Sequence, residues 1–349
     1  MATLTEVAYH TRRTIKWGSI ILLFLIVFRW VWNAFWAYWI AKHPPPLPPP
    51  TVAFGQLPAI NFPESPFSNL TYRLETITGT TPDLGDRAPV FFMPVTRPNL
   101  LALQRATDQA NLLGFTNPPE KLTDTHYRWT ITSPLTTTLE MDIIHGNFVL
   151  DTTWQQDPEI LGPKSLPAET QAVLEAQEFL SDAGLLAEDL KNGRTHVSFW
   201  RISATDLIPA PSLSEADFVR VDLFRQNRDE GQILTASPTD GIVQIIFSGA
   251  TTRGRRIIKV SYNYFPVDYP QSATYPVKSS AQAWEQLKAG QGFVASFTSI
   301  TTEVTVRKVT LGFFDAPTPQ TFLQPIYVFE GDNNFVGYVP AVSSDWVQE

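Results

Sequence analysis

The chain has 349 residues, of which 43% are hydrophobic, and it contains no cysteine. This length fits two or three domains, and the apolar fraction supports a packed core, which excludes a globally disordered protein. The absence of cysteine excludes disulfides, thiolate metal sites and cysteine nucleophiles. The net charge is −8; residues 1–43 carry five basic side chains and one acidic one, so the rest of the chain holds −12. We expect such an acidic body to repel nucleic acid.

Residues 18–41 form an apolar stretch with a single charged side chain. A helix of this length spans about 36 Å, enough to cross a hydrocarbon core of about 30 Å. Three basic residues lie just before it, so the positive-inside rule predicts a cytoplasmic tail at 1–17 and an extracytoplasmic C-terminal part. The alternative is a cleaved signal peptide. The apolar stretch is long for one, and bulky aromatic residues stand where a small-x-small cleavage motif is needed. The sequence therefore predicts a single-pass protein of the cell membrane.

Arg29 lies near the middle of this stretch, where an arginine costs roughly 2.5–3.5 kcal/mol on insertion scales. Asn33 follows four residues later and shares its helical face. One interpretation is that Arg29 and Asn33 contact another transmembrane helix, either in a second copy of the chain or in a partner membrane protein. The other is that Arg29 extends along Trp32 towards the interface in a cation–π contact. These two residues are the predicted partner-binding site; no catalytic, cofactor-binding or metal-binding residue is predicted.

The segment 44–50 reads PPPLPPP. So many prolines impose polyproline II geometry with a rise of about 3.1 Å per residue, which makes a spacer of roughly 20 Å. Further prolines extend the irregular stretch. We predict a proline-rich stalk over residues 42–68.

Beyond residue 68 one pattern occurs three times: a helix that ends at a glycine, followed by strands. The helices are predicted at 99–113, 167–183 and 280–289. The strands are predicted at 70–77, 127–131, 139–143, 148–154, 195–202, 217–224, 241–248, 256–265, 303–314, 322–330 and 335–342. This pattern predicts an α+β fold of three modules, 69–160, 161–272 and 273–349. One continuous α+β domain would give the same pattern.

The predicted strand 303–314 has apolar residues of both parities. Val304 and Val306 are at even-numbered positions, whereas Val309, Leu311 and Phe313 are at odd-numbered positions. A strict two-residue period cannot bury both sets on one face, so we predict a bulge at residues 307–308. The sequence Asp-Asn-Asn at 332–334 predicts a tight hairpin turn after the following strand.

The C-terminal segment carries a family resemblance. The sequences AQAWEQLKAG at 281–290, VRKVTLGFF at 306–314, FLQPIYVFEG at 322–331 and YVPAV at 338–342 resemble the PepSY-like fold. They are most similar to its use in YycH- and YycI-type membrane regulators, which share the layout of a short tail, one membrane helix and extracytoplasmic modules. The resemblance covers residues 279–342. It implies a non-enzymatic domain that binds another protein, in that family a membrane histidine kinase.

Candidate chemistry is sparse outside the anchor. Asp142 and His145 are the nearest acid–imidazole pair, but residues three apart on a strand meet only if the next turn begins early. Glu140 and Asp142 share a strand face about 7 Å apart. Glycoside hydrolases use carboxylate pairs, although they usually draw them from separate elements. We expect instead a solvated hairpin end and a polar outer face.

The remaining features favour structural roles. The basic segment RGRR at 253–256 is expected to form a hairpin turn, with an anionic partner as the alternative. Trp154, Trp200 and Trp284 lie in predicted elements and are expected in the core. No nucleotide-binding loop, serine elbow or zinc-protease motif occurs in a suitable context. No cofactor is predicted.

The leading hypothesis is a membrane-anchored, extracytoplasmic regulator that is not an enzyme. It would bind another membrane protein, such as a sensor kinase, or a second copy of itself. A structural or assembly factor of the cell envelope is the second hypothesis, and a wall- or peptide-acting hydrolase is the third. Neither nucleic acid nor a cofactor is an expected partner.

Overall fold

The computed structural model describes residues 4–42, 48–67, 69–162, 165–204, 206–228, 230–252 and 254–348. The chain divides into two compact units, Met1–Pro49 and Pro50–Glu349. The first contains the long helix α1, Leu4–Lys42, which is continuous with no internal proline. It starts well before the predicted apolar stretch because the polar residues ahead of residue 18 continue the same helix.

The unit Pro50–Glu349 is a mixed α+β structure, which confirms the α+β part of the predicted fold class, whereas the PepSY-like modules stay a prediction. Its α-helices are α2 (Ala102–Leu112), α3 (Pro158–Leu161), α4 (Glu169–Asp182), α5 (Glu188–Lys191) and α6 (Ser280–Lys288). Its strands are β1 (Thr71–Leu74), β2 (Arg87–Phe92), β3 (Glu120–Lys121), β4 (His126–Ile131), β5 (Thr137–Asp142), β6 (Phe148–Thr152), β7 (Thr195–Ser203), β8 (Asp206–Pro209), β9 (Phe218–Leu223), β10 (Gln232–Leu234), β11 (Val243–Ser248), β12 (Ile257–Tyr262), β13 (Asp268–Pro276), β14 (Phe293–Ser296), β15 (Glu303–Phe314), β16 (Phe322–Gly331) and β17 (Phe335–Pro340).

One sheet of the described residues has nine strands in the order β3-β4-β5-β6-β12-β11-β9-β7-β8. It contains two antiparallel meanders, β3–β6 following α2 and β9, β11 and β12 following α4, and the hairpin of β7 and β8 adds to β9 at the edge. Their last strands, β6 and β12, pair antiparallel, with Phe148 opposite Tyr262. Helices α2 and α4 pack on the same face, where Ala110 and Leu180 join Trp129 and Val221 in one apolar core. Along β5, β6 and β11 buried residues alternate with less buried ones, and the buried set faces this core.

A second sheet contains the path β1-β15-β16-β17-β14, with β10 beside β15 and with β2 joining β16 to β13. Helix α6 packs against it through Ala283, Trp284 and Leu287. A capping box starts this helix: the Ser279 hydroxyl accepts from the backbone N–H of Gln282, and the Gln282 side-chain oxygen accepts from the backbone N–H of Ser279. The two sheets lie within one compact unit.

The turns that end the predicted helices are present. Gly114, Gly184 and Gly290 all have positive φ, at 95°, 68° and 73°, directly after α2, α4 and α6. The first two helices begin later than predicted, at residues 102 and 169. At α2 the reason is local: the side chain of Asn99 accepts from the backbone N–H of Leu101 and so stabilises a turn before the helix.

The bulge and the hairpin of the second sheet are confirmed. The register between β15 and β16 shifts between Val306 and Lys308. As a result Val304, Val306 and Val309 pack into the same core in spite of their opposite parity. The β16–β17 turn has Asn333 and Asn334 at φ 56° and 55°, the left-handed geometry of a tight hairpin.

The predicted domain boundaries do not coincide with the sheets. The boundary at 160/161 falls within the nine-stranded sheet, because β6 pairs with β12 across it. The boundary at 272/273 falls inside β13, which pairs with β2 from the first predicted module. The three-module division therefore describes only the repeated pattern of a helix followed by strands. Residues 50–349 form one compact unit, which agrees with the alternative of one continuous domain.

The predicted stalk is also shorter in the structure. Residues 43–47, which include part of the proline run, lie outside the described residues. Beyond them the chain packs onto the folded unit: Leu57 is fully buried and forms a bridge with Val347, and Phe62 stacks on Phe293. Apolar side chains between the prolines explain the difference, since they gain free energy when buried.

Candidate functional site

Helix α1 contains the segment Arg12–Ile40, which is 29 residues long with a mean hydropathy of 1.9. None of its apolar window is buried. Among the described residues it is the one helix long and apolar enough to cross a membrane, and a signal sequence near an N-terminus would have the same properties. The length and exposed apolar surface of this segment are compatible with a single-pass membrane anchor or a signal sequence.

One face of α1 carries a ladder of aromatic rings at four-residue spacing. Phe24 stacks on Phe28, Phe28 on Trp32, and Trp32 meets Trp36 edge to face, with centroid distances of 6.3, 5.8 and 6.2 Å. Trp36 in turn contacts Trp39 at 5.5 Å. Residues four apart lie on nearly the same side of a helix, so these contacts stiffen one face.

Arg29 and Asn33 lie beside this ladder, and both are exposed. Arg29 is rotated by about 100° from Phe28, and Asn33 follows it one turn later. Trp32 is engaged by the rings of Phe28 and Trp36. Among the described residues no cation–π contact joins Arg29 to Trp32, and both interpretations of Arg29 stay predictions. The two polar side chains form a stripe along the helix.

The acid–imidazole pair of the first meander does come together. The turn begins directly after β5, and the backbone N–H of Gly146 donates to the carbonyl of Asp142. This brings His145 Nδ1 to 2.5 Å from Asp142 Oδ2. The other oxygen of Asp142 accepts from the backbone N–H of Ile144, so the carboxylate caps its own turn. The described residues contain no group of three or more metal-ligating side chains.

The other candidate groups already have partners. Glu140 accepts hydrogen bonds from Arg128 on the neighbouring strand, at 2.8 and 2.6 Å. Arg255 pairs with Asp157 at 2.9 Å. Arg256 is held by Glu175, and its neighbour Arg253 lies outside the described residues. The basic segment is therefore largely neutralised where the structure describes it.

The predicted core tryptophans are mostly confirmed. Trp154 and Trp284 are buried. Trp200 is only partly buried, with the guanidinium of Arg220 at 5.7 Å from its ring centroid. This places Trp200 at the edge of the core on the face of the nine-stranded sheet opposite α2 and α4.

An ion cluster that the sequence does not predict lies at the junction of the two sheets. Arg225, which follows β9, is fully buried. Its Nε donates to Asp315 Oδ2 at 2.6 Å, and its Nη1 donates to Asp189 Oδ2 at 2.8 Å. Its Nη2 donates to the carbonyl of Phe265, and the ring of Tyr264 lies 4.5 Å away. Asp315 follows β15 of the second sheet, so one arginine joins residues of both sheets.

The electrostatics of this cluster favour a charged arginine. Burial opposes the charge on Arg225, but the adjacent carboxylates of Asp315 and Asp189 outweigh it and raise the arginine pKa above its ordinary value. Burial raises the pKa of Asp315 as well, in opposition to Arg225. Burial and the nearby Asp189 raise the pKa of Tyr264 to about 12, so its hydroxyl stays protonated and donates to Asp189 Oδ1 at 3.0 Å. This arrangement holds the sheets together and leaves no free nucleophile.

Sequence reasoning missed this cluster because its members are isolated charges far apart in the chain. The one signal is that Arg225 and Asp315 each directly follow an apolar pair at a strand end, Leu223-Phe224 and Phe313-Phe314. A charge in that position needs a partner when the strand end is buried. The identity of the partner depends on which strand ends meet, and this follows only from the topology.

Comparisons with known proteins give little guidance. No family model and no curated protein matches the chain. Among solved structures, the chain is similar to an uncharacterized protein from Eubacterium rectale ATCC 33656 determined at 1.45 Å resolution. The identity is 8%, the match covers 76% of this chain and 86% of that chain, and the TM-score is 0.36. A likeness of that size assigns neither a fold family nor an activity.

Proposed function

We propose that the chain is a membrane-anchored binding protein without catalytic activity, held in the cell membrane by α1, with the unit Pro50–Glu349 on the extracytoplasmic side. The observation that carries the proposal is the exposed apolar segment Arg12–Ile40 at the N-terminus of a folded unit. The orientation rests on the basic residues that precede the apolar stretch, since positively charged flanks stay in the cytoplasm.

The polar stripe of Arg29 and Asn33 is the proposed contact with another transmembrane helix. Both side chains are exposed in a stretch, residues 18–41, whose other residues are almost all apolar or aromatic. In a bilayer an unpaired arginine is costly, and a polar or acidic group on a neighbouring helix offsets that cost. The partner is a second membrane protein of the sensor-kinase type or a second copy of this chain.

The proposal for the folded unit is protein binding through PepSY-like modules. It is supported by the residue pattern at 279–342 and by the order of elements, since antiparallel strands follow each of the helices α2, α4 and α6. An envelope scaffold remains the second candidate, distinguished by its partners.

Co-purification from gently solubilised membranes tests the proposal. The test variant replaces Arg29 and Asn33 by Leu; the control variant replaces Val27 and Val31 by Leu, which changes the other side of the same helix. We expect the wild-type chain and the control to retain a stoichiometric membrane partner, or a second copy, and the test variant to lose it. Equal association of all three chains would refute the role of the polar stripe. Recovery of a multi-subunit envelope assembly in place of a kinase-like partner would favour the scaffold.

A further inference from the structure

A cavity of about 600 Å³ lies between the nine-stranded sheet and the C-terminal ends of α2 and α4. It is found where the two meanders meet: Leu150 and Thr152 come from β6, and Ile257 comes from β12. The ends of the two helices are tied together above the sheet, because the side chain of Gln109 donates to the carbonyl of Ala183 at 2.8 Å. The volume is within the range of small-molecule sites, about 300–1,000 Å³.

The surfaces of this cavity are mainly apolar. Leu112, Leu113 and Phe179 form its helical wall. Its polar floor is a pair of hydroxyls: Thr137 and Thr152 face each other across β5 and β6 with their Oγ1 atoms 3.1 Å apart. Ligand sites typically combine such apolar walls with few polar groups that orient the ligand.

The charges around the cavity disfavour an anionic ligand. Arg256 contributes to the lining, but Glu175 engages it through two hydrogen bonds of 2.9 Å. Its Nη1 donates to the carbonyls of Ser165 and Ser248, so four of its five N–H donors are already used. Asp182, at the end of α4, is exposed and negative. Among the described residues that line the cavity, a carboxylate or phosphate would therefore meet the negative charge of Asp182 and an arginine already paired with Glu175.

The geometry points to a binding site for an uncharged amphiphile, an aliphatic chain that ends in a hydroxyl group. The chain fills the space between Leu112, Phe179 and Leu150, and the hydroxyl donates to an oxygen of the threonine pair or of Asp182. This site is separate from Arg29 and Asn33, and the inference does not depend on the membrane partner proposed above.

Photolabelling of the full chain in nanodiscs tests this site. The probe is an aliphatic alcohol carrying a diazirine, and the comparison probe is the matching carboxylic acid. The test variant is Leu112→Glu and the control is Leu174→Glu; both leucines are exposed on helices, at 63% and 59%, but only Leu112 lines the cavity. Both variants should keep the wild-type circular dichroism, because neither leucine belongs to the core.

We expect the alcohol to label peptides of the cavity wall saturably and with competition by the unlabelled alcohol. The acid should label them at least about tenfold less. Leu112→Glu should weaken labelling by the alcohol about tenfold, because it replaces an apolar contact by a charge, whereas Leu174→Glu should leave it unchanged. Labelling of α1 by bilayer-dissolved probe provides the internal reference.

Three results would overturn the inference. The first is non-saturable labelling of the cavity wall, and the second is equal labelling by the acid and the alcohol. The third is a change in oligomeric state for Leu112→Glu alone, which would show that this face contacts a second copy of the chain.

Discussion

Replacing Arg225 by Met should strongly destabilise the unit Pro50–Glu349. The guanidinium is fully buried and contacts the carboxylates of Asp315 and Asp189. Methionine is close to arginine in length but removes the cation and its hydrogen bonds. Breaking a buried ion pair from one side costs about 3–5 kcal/mol, because the remaining charge is left without a partner in a poorly solvated place.

Most of this loss of stability comes from Asp315, which is left without a cation. Its side chain is 2% exposed, and Arg225 is its cationic partner. Asp189 is better supported, since the hydroxyls of Tyr264 and Tyr269 also donate to it. The double variant Arg225→Met with Asp315→Leu should therefore regain part of the lost stability, because it removes the stranded carboxylate together with the cation.

Arg307 is a matched control. It also has two carboxylate partners, Glu75 and Asp332, but its side chain is 49% exposed. Exposed pairs contribute about 0–1 kcal/mol, so Arg307→Met should have a small effect. Pulse proteolysis of the full chains in nanodiscs across a urea series measures both variants. A difference of at least about 2 kcal/mol between them is expected from the buried-pair cost. Losses within about 1 kcal/mol of each other would refute the reasoning.

Three further predictions concern a carboxylate, a turn and a close backbone approach. The hydrogen bond from Arg256 lowers the pKa of Glu175, so this pair stabilises the fold above the ordinary glutamate pKa and loses its effect as the pH falls through the lowered value. Glu175→Gln should therefore cost about 1–3 kcal/mol at pH 7, and the difference from wild type in urea midpoint should shrink below about pH 4; a constant difference would contradict this. Asn334→Gly should be tolerated within about 0.5 kcal/mol, whereas Asn334→Ala should cost about 1 kcal/mol because of its positive φ, as measured by the same unfolding series; equal effects would contradict the turn geometry. Gly193→Ala should destabilise by several kcal/mol, because a Cβ there would lie 1.8 Å from the carbonyl oxygen of Phe224; a wild-type urea midpoint would contradict this close approach.

Local patterns were enough to predict much of the fold. The glycine stops at 114, 184 and 290, the apolar helical stripes and the alternating strands each contain a short-range signal, and the structure has the corresponding elements. The parity conflict in β15 predicted the bulge for the same reason, since one strand contains both apolar sets. Interactions between residues that are close in the chain are sufficient to predict such features.

Other elements depended on long-range pairing. Strands β2 and β13 pair with each other although both contain proline, a residue that argues against a strand when the sequence is considered alone. The merging of two meanders into one sheet depends on the β6–β12 contact, more than one hundred residues apart in the chain. The buried position of Arg225 and the cavity between α2 and α4 arise from the same long-range arrangement, so neither could be predicted from composition or periodicity.

The candidate site on α1 was predictable because it lies within one helix. The spacing of Arg29 and Asn33 places them on one face without any tertiary information. The aromatic ladder beside them follows from the same periodicity. Which molecule contacts that face does not follow from the helix, and it stays a proposal.

Cysteine accessibility in intact cells tests the central claim, which is an N-terminal membrane anchor with an extracytoplasmic folded unit. The chain has no cysteine, so single substitutions give a clean background. Leu174→Cys reports on the exposed surface of α4, and Thr11→Cys reports on the N-terminal tail. A membrane-impermeant maleimide should label Leu174→Cys in intact cells and label Thr11→Cys only after permeabilisation. Labelling of Leu174→Cys only after permeabilisation, or loss of residue 11 from the mature chain, would contradict the account.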